Sequence, residues 1–461
     1  MRGVSLCKKF NSTNEKMKSI KVLALLMLGS IVISSCTEKD EDTNVTPVTG
    51  NRVILQGNIT TNTVLKAADT VVLKGYVYVQ SGASITFEAG TIVRSDVTEK
   101  GALIIERGAK IFANGTASNP VVFTSGKAAG SRAPGDWGGI IILGKATTNR
   151  STEPTIEGGV GRPYGGTDDN DNSGSMTFVR IEFAGIAAQP GSEINGLTLG
   201  GVGRGTKIEH IQALYSNDDA FEFFGGTVNC KYLIAFATAD DDFDFDFGYR
   251  GQIQYAISFR DPAFVDGGDA GNGIECDNDG ASSGALPFTK PVLSNVTFVG
   301  PNGATNTAAN HNFANRWRRN TRFELHNSIL LGYAKAGFCV DGQGTADAFN
   351  AGESKFRNNL VHAITKPYLS RDNTTFNDST LQVKAIADGN TLTTPTAVNL
   401  GNIANLNAPN FMPTTGSVAL TGAAFTGLDA AFFTTTTFRG AMGTTDWTTG
   451  WTIWNPQTKV Y

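Results

Sequence analysis

Two strand patterns recurring every 22 to 24 residues, glycine at 54 of 461 positions and almost no helical apolar spacing predict an all-β fold, a right-handed parallel β-helix (β-solenoid). Leu197, Phe221 and Phe245 stand 24 apart, as do Leu199, Phe223 and Phe247. A second strand recurs as Ile208, Cys230 and Ile253, as His210, Tyr232 and Tyr255, and as Leu214, Phe236 and Phe259, at spacings of 22 and 23. Period-two alternation survives from copy to copy, so each strand is expected to pair in parallel with its copy one coil away. Leucine-rich repeats share this period, but their L-x-x-L-x-L pattern and its asparagine are absent.

From the N-terminus, six basic residues and one acid precede the apolar run Val22 to Ile33. That layout predicts a signal peptide over residues 1–35, and a start at Met17 leaves a more compact one. The run is too short to span a bilayer, which needs about 20 apolar residues. Ile33, Ser34, Ser35 and Cys36 resemble a lipobox, which implies cleavage and lipidation at Cys36. The acidic cluster Glu38 to Asp42 resembles the signal that sends Bacteroidetes lipoproteins to the outer face of the outer membrane. Residues 36–50 are then a lipidated, flexible tether, and the expected location is the outer membrane, lipid-anchored and exposed at the cell surface.

The β-helix is expected over 51–427. Val72 to Val79, Ile85 to Val93, Ala102 to Ile111 and Val121 to Thr124, with Gly82, Gly90, Gly108 and Gly115 at the turns, read as its first coils. Met176 to Ala184, Val292 to Val299, Phe323 to Tyr333, Gly337 to Val340 and Phe356 to His362 supply later strands. The polar stretches Thr167 to Ser175 and Asn302 to Asn320 read as projecting loops. Residues 428–461 depart from the repeat and are expected to cap the open end, an edge that would otherwise be sticky.

Removing the leader leaves 32 basic against 41 acidic residues, a net charge near −9, which disfavours a nucleic-acid partner. The mature chain keeps Cys36, Cys230, Cys276 and Cys339, with no Cys-x-x-Cys and no Cys/His metal spacing.

The runs GDWGGIIILGKA (135–146), IEGG (156–159), SNDDAFEFFGGTVN (216–229), DDDFDFDFGYRGQIQ (240–254) and the closing FRGAMGTTDWTTGWTIW resemble a family of Bacteroidetes envelope lipoproteins. Its members are usually labelled hypothetical proteins or multidrug transporters. The resemblance spans nearly the whole mature chain; it implies a pectate-lyase-like β-helix and no particular activity.

The acidic run Asp218, Asp219, Glu222, Asp240, Asp241, Asp242, Asp244 and Asp246, continued by Asp261, Asp266, Asp269, Asp277 and Asp279, is the strongest chemical feature. A 24-residue register puts Glu222 beside Asp246 and Asp218 beside Asp242, like charges one strand spacing apart that call for neutralisation. Ca²⁺ is the natural candidate, with Asp218, Asp219, Glu222, Asp242, Asp244 and Asp246 as ligands. The alternative is a solvated acidic face with Arg250 or Arg260 as partners. Asp168 to Asn172 resembles a Ca²⁺ loop in composition but lacks EF-hand spacing, and reads as a turn.

For catalysis, Asn217 to Asp219 and Asp240 to Asp242 superficially resemble the acidic clusters of polygalacturonases. That family's Gly-His-Gly and Arg-Ile-Lys motifs are missing, however. Gly280 to Gly284 fits G-x-S-x-G but lies in a small-residue loop. The stack of His210, Tyr232 and Tyr255 reads either as packing or as a sugar platform. The cluster Arg316 to Arg319 is expected to meet an acidic ligand or a neighbouring coil's aspartates. The function expected is a non-catalytic binding or accessory module, for glycans or beside an outer-membrane receptor. The alternative is a calcium-dependent polysaccharide lyase or glycoside hydrolase.

Overall fold

A computed structural model describes residues 50–189, 192–268 and 270–461. Cys36, the leader, most of the tether and Asp269 lie outside them. Twenty-six strands form one continuous parallel sheet, wound nearly closed into a three-faced solenoid. Successive parallel strands joined by crossovers take the right hand, because a right-twisted strand packs back onto its sheet only that way.

One face carries Leu103–Ile105, Ile140–Leu143, Leu197–Gly200, Phe221–Phe224, Phe243–Asp246, Ile274–Cys276, Phe313–Trp317, Ala336–Asp341 and Lys366–Arg371, each paired with the next. The other two faces are made by long strands that bend halfway: Gly174–Glu182, Lys207–Leu214, Asn229–Phe236, Gln252–Phe259 and Val292–Val299. At each bend one residue drops out of the pairing and turns left-handed: Phe178, His210, Tyr232, Tyr255 and Asn295, with φ of 51°, 55°, 59°, 62° and 58°.

Inward positions stack in ladders. Phe221 lies on Phe243 with ring centroids 5.3 Å apart, and Phe223 on Phe245 at 5.0 Å. All four are fully buried, each contributing about 1.5–3 kcal/mol by removal from water. These pairings correct the expected register. The step from Leu197 to Phe221 is 24 residues, but the next coil is shorter and the step is 22, so Glu222 faces Asp244 rather than Asp246. Phe247 falls beyond the strand end at φ 50°.

Asn302 to Asn320 is not one loop, since it contains the strand Phe313–Trp317. Two helices, Gln343–Ala351 and Asp378–Ala387, also went unread. The chain end expected as a cap instead lies along the solenoid's flank. Phe438 stacks near Tyr255, Trp447 meets Tyr232, Trp451 meets His210 and Phe178, and Arg94 of an early coil donates to the Tyr461 carbonyl. Side-chain amides stitch this strap down reciprocally. Gln212 donates to Ile453 O (2.8 Å) and accepts from Ile453 N (2.9 Å), and Gln254 does the same with Thr434 (2.8 Å each way).

Candidate metal centre

With Phe221 and Phe223 pointing inward, Glu222 between them must point outward. Down this face Thr198, Glu222, Asp244, Glu275 and Arg316 share one register position. Three carboxylates therefore follow one another at about the 4.8 Å strand spacing. Arg316 closes the row, its Nη1 3.3 Å from Glu275 Oε2, and Arg318 pairs with the same carboxylate.

A second column comes from the turns leading into these strands. Asn195 Oδ1 accepts from Asp219 N (3.1 Å), Asp219 Oδ1 from Asp241 N (2.8 Å), Asp241 Oδ1 from Asn272 N (2.6 Å) and Asn272 Oδ1 from Phe313 N (3.1 Å). One side-chain oxygen on each coil thus satisfies a buried backbone N–H on the next. Asn195 Nδ2 also donates to Glu222.

Between the columns lies a cleft of about 190 Å³ lined by Asn195 and nine carboxylic residues: Glu157, Glu193, Asp218, Asp219, Glu222, Asp240, Asp241, Asp244 and Glu275. Glu157 arrives on the long connection after Ile140–Leu143, which folds back over this face and buries Ile156, Val160 and Tyr164 against Ile141 and Leu143. Burial first, and then the neighbouring carboxylates, push Asp218, Asp219, Glu222, Asp241 and Asp244 well above the usual carboxylate range.

Three overlapping triads bring one oxygen from each member within 4.8 Å of the others: Asp218, Asp219 and Asp240; Asp219, Glu222 and Asp244; Asp241, Asp244 and Glu275. Oxygens bound to a single Ca²⁺ at about 2.3–2.6 Å lie up to about 5 Å apart, so the spacing fits. Asp244 Oδ1 is buried and accepts no hydrogen bond. An all-oxygen set suits hard cations, Ca²⁺ or Mg²⁺, rather than zinc.

Of the six ligands expected, Asp218, Asp219, Glu222 and Asp244 meet in the cleft; Asp242 and Asp246 do not. Asp242 turns into the interior, where Oδ1 takes a hydrogen bond from Arg260 Nη1 (2.9 Å) and Oδ2 one from Ser258 Oγ (2.5 Å), all fully buried. Asp246 lies one outward position further along its strand, opposite Phe224, and its Oδ1 accepts from Phe247 N (2.6 Å). The shorter coil is the reason: it slides Asp244 into the place given to Asp246. Glu157, Glu193 and Glu275 escaped sequence reasoning because they lie on irregular connections or coils off the regular repeat, and Asn195 because it is an amide rather than an acid. The 24 residues from Asn195 to Asp219 were the one available signal.

Neither Arg250 nor Arg260 neutralises the cleft. Arg250 pairs with Asp169 (3.1 Å), within the 168–172 segment, which is a hydrogen-bonded turn in which Asp168 Oδ1 accepts from Asn170 N (3.0 Å). The arginine cluster does meet a neighbouring coil's acids, as Arg318 and Arg319 hold Asp277 at 2.8 and 2.7 Å. No lysine, arginine or histidine lines the cleft among the described residues. Ser283 is tied to Asp279 in its own turn.

The fold is a parallel β-helix with an acidic cleft on one outer face. Residues 57–452 match the family described as pectate-lyase like beta helix domain, and the chain belongs to that family. No curated protein and no solved structure shows significant similarity to the chain. Among the described residues no helix is long and apolar enough to cross a membrane.

Proposed function

We propose that this β-helix is a non-catalytic binding module, lipid-anchored through Cys36 and displayed on the outer membrane, and that its acidic cleft holds Ca²⁺. The observation carrying the cation reading is nine carboxylic residues around one small cleft whose described lining contains no basic group, with Arg316 and Arg318 reaching it at Glu275 from the next coil. Like charges this close, taken out of water, destabilise the fold unless protons or a hard cation neutralise them. The anchor rests on the lipobox-like segment, and a glycan ligand or an outer-membrane receptor partner fits a module displayed at that surface. The hydrolase alternative draws on the raised carboxyl pKa values, since a general acid needs one. Among the described residues no lysine, arginine or histidine lines the cleft, so a lyase's base there would have to be a carboxylate.

Calorimetric titration of the chelator-treated mature chain with CaCl₂ tests the reading. Saturable binding, and an unfolding midpoint raised by calcium and lowered by chelator, is the expected result. Absence of both removes the cation site, and turnover of polyuronic or neutral polysaccharide abolished by Asp219→Asn replaces the binding module with the enzyme.

A further inference from the structure

The three carboxylate triads of the cleft are not equivalent, and what surrounds each one ranks them. Asp218, Asp219 and Asp240 open the row, Asp219, Glu222 and Asp244 stand in its middle, and Asp241, Asp244 and Glu275 end it. Asp219 belongs to the first two and Asp244 to the last two, so a divalent cation in the middle triad takes a ligand from each neighbour. A second cation beside it would share a carboxylate with it, and two divalent charges at that range repel strongly.

The last triad already has a cation, supplied by the chain itself. Glu275 lies opposite Arg316 on the next strand; its Oε2 is 3.3 Å from Arg316 Nη1, and its Oε1 meets Arg318 Nη2. Both oxygens thus face a guanidinium. Arg318 is fixed there by a second contact, Nε to Asp277 Oδ1 at 2.8 Å, and Arg316 by Asp341 Oδ2 at 2.7 Å. A metal ion entering between Asp241, Asp244 and Glu275 would have to displace Arg318 or sit against its charge, which arginine does not lose in the working pH range.

In the first triad Asp218 and Asp240 are only partly buried, so water still reaches them and screens their charges. The middle triad has neither relief. Asp219 and Glu222 are 6% and 7% exposed, and Asp244 carries Oδ1, which is buried and accepts no hydrogen bond. Among the described residues it is the one carboxylate oxygen in that state. A buried anionic oxygen with no donor destabilises the fold unless a cation meets it. The other two members are already held in place, Asp219 by the Asp241 N–H at 2.8 Å and Glu222 by the Asn195 amide. Granted the cation reading above, we infer that the cleft seats one hard divalent cation between Asp219, Glu222 and Asp244, and that Arg318 serves as a built-in cation for the triad beside it.

Equilibrium dialysis of the chelator-treated mature chain against CaCl₂ counts the ions, and calorimetry on the same samples gives their affinities. The parent should bind one Ca²⁺. Glu222→Gln should weaken that binding by about ten-fold or more, whereas Asp240→Asn, which alters the first triad alone, should change it by about three-fold or less. Arg318→Met should admit a second, weaker Ca²⁺, while Arg316 and Arg319 keep Glu275 and Asp277 paired and the melting profile stays cooperative. Two ions in the parent, a greater loss from Asp240→Asn than from Glu222→Gln, or a single ion in Arg318→Met overturns the assignment and leaves the cation reading standing. No calcium bound by the parent removes that reading and the seat with it.

Discussion

Glu222 and Asp244 face each other directly on adjacent parallel strands, both pointing away from the core, with no basic side chain among the described residues lining the cleft between them. In chelator, Glu222→Gln combined with Asp244→Asn relieves a like-charge contact and should stabilise the protein by about 1 kcal/mol. In saturating calcium the same double variant should be less stable than the parent, having lost ligands from a site that binds only the folded state. Urea unfolding under both conditions reads the sign reversal. A variant more stable in both would make the ladder plain surface charge.

The pH dependence has a separate handle at Glu324. Burial alone would raise its carboxyl, but hydrogen bonds from His326, Lys355 and Lys290 outweigh that and hold it down at about 2. A carboxyl depressed in the folded state contributes stability above its unfolded value of about 4.3, and that contribution is lost as pH falls toward 2. Because water screens part of these contacts, the amount is on the order of 1–2 kcal/mol. Glu324→Gln should lower stability at pH 7 and flatten the acid limb of the stability profile between about pH 5 and 2. An unchanged limb in denaturant melts would mean Glu324 is not the group responsible.

The strap should detach before the coils unravel. Trp451 is fully buried against Phe178 and His210, and Trp451→Ala should cost about 3–5 kcal/mol of strap attachment. Gln212→Ala leaves both backbone groups of Ile453 without their partners and should cost about 1–3 kcal/mol. Limited proteolysis should then cut within 434–461 while the solenoid survives; cleavage spread evenly through the coils would contradict a separable strap.

Membrane attachment tests the N-terminal reading independently of the fold. Cys36→Ser should move the protein from the membrane pellet to the soluble fraction. Protease added to intact cells should digest the parent alongside a known surface lipoprotein. A protected parent, or a pelleting serine variant, removes the anchor or the display.

The solenoid was legible because its core strands announce themselves: Leu197, Phe221 and Phe223 alternate with outward residues at one period, and Ile208, Cys230 and Ile253 repeat at another. The register between Phe221 and Phe243 was not, because the run Phe243 to Phe247 alternates at every second residue and a two-residue slip keeps all the rings inside. Coil length decides between the two offsets, and a turn such as Ala237 to Asp242 carries no periodic mark. The same slip misassigned Asp246 and spared Asp244. Glu157 and Glu275 were out of reach for a different reason, since their approach depends on insertions whose path no repeat dictates.

The strap also has a temporal consequence. Ile453 closes on Gln212 and Tyr461 on Arg94, contacts 241 and 367 residues apart in the chain. Coils can accumulate one upon the next as the polypeptide emerges, each needing only its neighbour. The aromatic seam down their flank stays bare until the final stretch has been delivered and has travelled back past every coil it seals. A chain halted short of that stretch would carry a finished core and an unfinished surface, a difference that a protease could read.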